Sequence, residues 1–125
     1  MKIIISAILP NIESEVDPRR FGRSPYFLEV DPDTLACKAY PNPDTRAWSG
    51  ASVRVAQFVA DRKADAVISG DFDQPANAAL NAAGVAMFLF KSRGTVHDVI
   101  ARFRAGELQH VGALTREKYY PVVQG

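Results

Sequence analysis

The stretch Ala66-Val67-Ile68-Ser69-Gly70-Asp71-Phe72-Asp73-Gln74-Pro75-Ala76-Asn77, continued through Ala83 and into Gly84-Val85-Ala86-Met87-Phe88-Leu89-Phe90, decides the fold. Ala66 to Ser69 is a short apolar run closed by a glycine, which reads as a strand. Pro75 to Ala83 is alanine-rich and reads as a helix, with proline tolerated in the first turn and Gly84 just past the end. Val85 to Phe90 is a second buried apolar strand. Right-handed crossovers make such strands parallel. Ligands of open parallel sheets bind beyond the carboxyl ends of the strands, which points to the loops after Leu9, Ser69 and Phe90.

Outward from that unit, the helical spacing of Ser52, Val55, Phe58, Val59 and Arg62 predicts a helix opening at Gly50. Ile3 to Leu9 is apolar at every position but Ser6 and reads as a strand buried on both faces. Tyr26 to Val30 and Leu35 to Tyr40 flank the turn Asp31-Pro32-Asp33 and read as a hairpin, with Leu35, Cys37 and Ala39 on one face. Asn11 to Arg23 and Pro41 to Ser49 are loops, and residues 10 to 20 are expected to be mobile without ligand. Thr95 with Asp98 forms a capping-box pattern, and Val96, Val99, Ile100 and Phe103 give one helical face that ends at Gly106. Glu107 to Gly125 carries no clear element.

The order β-β-β-α-β-α-β-α implies an α/β domain over residues 1–125, with a mixed five-stranded sheet, antiparallel hairpin strands and helices on both faces. That order resembles ribonuclease H-like three-layer folds. Ile3 to Leu9 contains no Asp or Glu, so the clustered carboxylates of two-metal hydrolysis are missing. The apolar residues of the periodic stretches, Phe27, Val30, Val67 and Ile68 among them, are expected to form one core joined by Ile3, Ile5 and Leu9.

The 125 residues, 47% hydrophobic and 23% charged, suit one globular domain. A net charge of +1 gives no general pull toward nucleic acid. The single cysteine, Cys37, forms no internal disulfide and is expected to be a small buried hydrophobe in a reducing cytosol. The N-terminus lacks a signal-peptide pattern, and no apolar run approaches the ~20 residues of a membrane span, so a cytoplasmic location is expected.

Two segments carry candidate chemistry. Arg19-Arg20-Phe21-Gly22-Arg23-Ser24-Pro25-Tyr26 places three arginines around a glycine with no acid among them. Guanidinium groups suit anions, and Gly22 permits a turn that presents backbone N–H groups; the competing reading is a solvated loop with incidental charge. Gly70-Asp71-Phe72-Asp73 is a strand-to-helix turn of the kind that holds anions, although its two acids oppose that and Asp73 reads equally as a helix cap. His97 and His110 lack metal-ligand spacing, and neither a nucleophile elbow nor a phosphate-binding glycine loop is present. A binding module is expected, and not an enzyme.

Phe21-Gly22-Arg23-Ser24-Pro25-Tyr26-Phe27, Ser49-Gly50-Ala51, Ala64 to Gly70 with the following Ala/Asn helix, and Gly94-Thr95-Val96 through Gly106-Glu107-Leu108 resemble, in order, the dinitrogenase iron–molybdenum cofactor biosynthesis family. The resemblance spans about residues 1–110. It implies a ribonuclease H-like fold without nuclease activity and a nitrogen-fixation accessory that binds or carries an anionic metal–sulfur cluster. The cluster would be an iron–molybdenum cofactor precursor, or a molybdenum sulfide cluster with iron or copper. It also implies cluster-assembly proteins as partners, with neither nucleic acid nor membrane. Two positions differ from many relatives: Arg20 stands where they have His, and Gly70-Asp71-Phe72-Asp73 replaces a Gly-Gly-x-Gly turn.

The expected site is an open, positively charged hollow of Arg20, Phe21, Gly22, Arg23 and Ser24. Gly50 and Ala51 of the first helical turn complete it, with Trp48 as a wall and Gly70 and Asp71 on the rim. The second reading is a regulatory or protein-interaction domain that keeps the fold without the cluster.

Overall fold

Ile3, Ile4 and Ile5 are β-branched, and all three are fully buried in the central strand β1 (Ile3–Ala7). The computed structural model describes residues 1–19, 21–42 and 51–111. Five further strands follow among these: β2 (Tyr26–Val30), β3 (Cys37–Pro41), β4 (Ala66–Ser69), β5 (Ala86–Leu89) and β6 (Gln109–Val111). Three helices accompany them: α1 (Ala51–Asp61), α2 (Gln74–Ala82) and α3 (Val96–Arg104). The sheet order is β3-β2-β1-β4-β5-β6. β1 and β4 are parallel, as are β4 and β5, while the β1–β2, β2–β3 and β5–β6 pairs are antiparallel.

Helix boundaries follow local chemistry. The Asp73 carboxylate accepts the Ala76 N–H at 3.0 Å, a cap worth about 1 kcal/mol. Gly84, at φ 74°, takes the left-handed turn after α2, and Gly106 at φ 72° does so after α3. Thr95 and Asp98 complete a reciprocal capping box at the start of α3.

Strand alternation sorts the apolar residues. Ile3, Ile5 and Ile68 pack with Phe88 and with Val99, Ile100 and Phe103 of α3. Ile4, Phe27 and Val67 face the other way, onto Val55 and Val59 of α1 and Leu80 of α2. The expected single core is therefore two layers, because the sheet itself separates them.

The structure corrects four further expectations. The sheet has six strands, not five, because Gln109–Val111 pairs with the otherwise open edge of β5. β1 ends at Ala7, leaving Ile8 and Leu9 38% and 54% exposed. The Ile8 and Leu9 amides donate to the Ser14 hydroxyl at 3.1 and 2.8 Å, which turns the chain back before Leu9 reaches the core. Residues 10 to 19, expected to have no anchor, run as a strap tied to β1 and α3, with Ser14, Val16 and Asp17 buried. Val16 bridges Ala7, Glu15 bridges Thr95, and the Ser14 and Ile12 carbonyls accept the Val96 and His97 N–H groups at 2.8 and 3.0 Å. Cys37 is exposed, since β3 is an edge strand and its residues 37 and 38 lie outside both helix layers. Among the described residues no helix is long and apolar enough to cross a membrane.

Candidate functional site

The candidate residues gather at the carboxyl ends of β1 and β4. The two strands pair from Ile3 to Ile5 and Ala66 to Ile68. Beyond that the Ser6 and Ser69 hydroxyls, both fully buried, join at 2.8 Å on the face covered by α1 and α2. The returning strap fills the gap: the Asp17 N–H donates to the Ser6 carbonyl at 3.0 Å, and the Gly70 N–H donates to the Asp17 carbonyl at 3.2 Å. Gly70 is required by this crossing. A Cβ there would lie 2.5 Å from Pro18 Cα and 2.7 Å from the Asp17 oxygen.

The arginine segment forms a 3-10 turn, Phe21–Arg23, between Asp71 and the first turn of α1. Phe21 is buried, with ring centroids 5.3 Å from Phe27 and 5.6 Å from Phe72. Its N–H donates to the Asp71 carbonyl at 2.8 Å. Gly22 is buried against the first turn of α1, where a Cβ would meet Ser52 Oγ at 2.8 Å. The glycine therefore gives clearance to a helix. The buried Ser24 hydroxyl lies 3.1 Å from the Ala7 carbonyl, and Asn42 Nδ2 donates to the Gly22 and Ser24 carbonyls at 3.1 and 2.7 Å.

Charge is unevenly committed. Arg19 forks onto the buried Asp17 carboxylate with Nε and Nη2 at 3.0 and 2.9 Å. That hydrogen bonding, and the carboxylate charge behind it, raise the Arg19 pKa above its usual value. Arg23 is exposed, and no carboxylate pairs with it among the described residues. Asp73 bridges two helices, since its second oxygen accepts the Ser52 hydroxyl at 2.6 Å while the first caps α2. Asp71 is half-buried beside them.

Of the expected site residues, Phe21, Gly22, Arg23, Ser24, Ala51, Gly70 and Asp71 gather at this one end of the sheet. Arg20, Trp48 and Gly50 lie outside the described residues. Sequence reasoning missed Asp17, Pro18, Ser52 and Phe72, and for Asp73 it foresaw the cap but not the reach to Ser52. A proline following an acid just before an arginine cluster was the one available signal. Among the described residues no three His, Cys, Asp or Glu side chains gather as metal ligands. Cys37 pairs with Val30 opposite Ile3, at the far end of the sheet.

A profile for the family described as dinitrogenase iron-molybdenum cofactor matches residues 1–106. The apo form of the orange protein from Desulfovibrio gigas superposes with a TM-score of 0.83 at 31% identity, over 88% of this chain and 92% of that one. A putative NifB protein from Thermotoga superposes with a TM-score of 0.76 at 28% identity, over 93% and 97%. Among curated proteins no match is found.

Proposed function

Since the chain belongs to the dinitrogenase iron–molybdenum cofactor family, we propose that it binds and carries an anionic metal–sulfur cargo at the carboxyl ends of β1 and β4. The cargo is an iron–molybdenum cofactor precursor or a molybdenum sulfide cluster with iron or copper. The observation that carries this reading is the anchoring of the Phe21–Arg23 turn between the Asp71 carbonyl and Ser52, which leaves Arg23 exposed beside the first turn of α1. A sulfide-rich anion accepts N–H hydrogen bonds from arginine and from a helix N-terminus without a covalent ligand. Arg23 supplies a charge that does not titrate, with Arg20 as its expected companion. The role is holding and handing over, with no catalytic step. In the order β3-β2-β1-β4-β5 only β2 runs against the others, which supports a ribonuclease H-like assignment with β6 added. The free thiol of Cys37 suits a reducing cytoplasm.

The test is anaerobic mixing with tetrathiomolybdate and copper(I) or iron(II), then desalting and visible spectroscopy. Colour is expected to travel with the parent chain and to be lost in Arg20→Ala/Arg23→Ala. The melting temperature should barely move, because surface substitutions shift stability by less than about 0.5 kcal/mol. Equal retention by parent and variant would remove the arginine site. A colourless parent would favour the interaction-domain reading, for which the Asp71 and Asp73 acids at the rim speak.

A further inference from the structure

Asp17 is the one acid whose side chain is wholly removed from solvent among the described ion pairs, while its partner Arg19 is 61% exposed. Its backbone and carboxylate together touch three parts of the chain. The N–H reaches Ser6 at the end of β1, the carbonyl receives Gly70 at the end of β4, and the carboxylate accepts the Arg19 backbone N–H at 2.9 Å as well as the guanidinium fork. Two residues further on, Phe21 is tied to Asp71 and Gly22 rests on Ser52.

We infer that Asp17 is the positioning residue of the cargo site, setting the path of the arginine segment, and that Arg19 is its counter-charge and not a ligand of the cargo. The inference deepens the cargo reading and rests on it only where binding is measured. A buried carboxylate is tolerated when paired and hydrogen-bonded, and stripping it of its partner leaves an uncompensated charge. Arg19 therefore cannot turn toward an incoming anion without stranding Asp17. Arg19 is thus spent on architecture, which leaves the cargo the exposed Arg23. Lysine at position 19 would keep the charge but lose the two-point fork.

Hydrogen–deuterium exchange on the full chain without cargo tests the positioning. Asp17→Asn and Arg19→Ala should each speed exchange of the Phe21 and Gly70 amides by about tenfold or more, as a local opening does, while β5 amides keep their rates. Arg19→Lys should not restore slow exchange. Unchanged rates in both single variants would overturn the inference. Asp17→Asn/Arg19→Ala removes both charges and leaves a carboxamide oxygen for the residue 19 N–H, so a folded reference exists even if Arg19→Ala alone unfolds.

Tetrathiomolybdate retention then tests the division of labour. Arg19→Ala should weaken it in the parent and leave it unchanged in the Asp17→Asn background. Equal weakening in both backgrounds would make Arg19 a ligand and overturn the inference. If the parent retains no tetrathiomolybdate, the cargo reading falls, and the exchange rates alone decide the role of Asp17.

Discussion

Gly70 and Gly84 are glycines for different reasons, and their substitutions separate the two. At Gly70 a Cβ would lie 2.5 Å from the backbone of Pro18, whose neighbour Asp17 is hydrogen-bonded to Ser6 and Gly70. Gly70→Ala must displace that crossing, and overpacking of this kind costs about 1–3 kcal/mol. At Gly84 nothing lies within 4 Å of the added carbon, but φ is 74°. Gly84→Ala meets only the left-handed backbone penalty, about 1–2 kcal/mol. Urea denaturation is expected to show loss in both, and only Gly70→Ala should also disturb cargo retention, because only it moves the strap. Equal retention by the two variants would mean that the crossing at Pro18 does not shape the site.

Caps connect the elements to one another as well as ending them. Asp73 closes α2 and reaches Ser52 of α1, while the Thr95–Asp98 box starts α3 beneath the strap carbonyls. The Thr95 backbone N–H, and then its side chain, hold the Asp98 carboxyl below its ordinary value of 3.8. A depressed carboxyl contributes stability above its unfolded pKa and loses it as pH falls through the folded one. The stability gap between the parent and Asp98→Asn should therefore be open at pH 6 and narrow below pH about 3.8. An identical gap at both pH values would refute it. These elements were legible because Asp73, Gly84, Thr95 and Gly106 are chemically specific punctuation. β6 was not, since Gln109-His110-Val111 has neither alternation nor an apolar run and exists only because β5 offers an unpaired edge. The site was legible in the same uneven way. Phe21 to Arg23 and Gly70-Asp71 stood out locally, whereas the Ser52–Asp73 contact joins residues 21 apart in sequence, and no local pattern encodes it.

The sheet divides the molecule into two apolar layers that share strands but not side-chain contacts, and this has a measurable consequence. Ile4 belongs to the layer under α1 and α2, and Ile100 to the layer under α3. Ile4→Val and Ile100→Val should each cost about 0.5–1.5 kcal/mol. Without shared partners the two costs should add to within about 0.5 kcal/mol. Phe88 and Phe103 lie in one layer, with rings edge-to-face at 5.2 Å and 88°. Phe88→Leu and Phe103→Leu should couple, because either one alone already removes the whole of one aromatic contact worth about 0.5–1.5 kcal/mol beyond its buried area. All four variants are expected to melt in one transition, since the strands between the layers cannot unfold for one face alone. Strong coupling across the sheet, or two separate transitions, would show that the layers are not the independent packing units that the alternation of Ile3, Ile4 and Ile5 makes them.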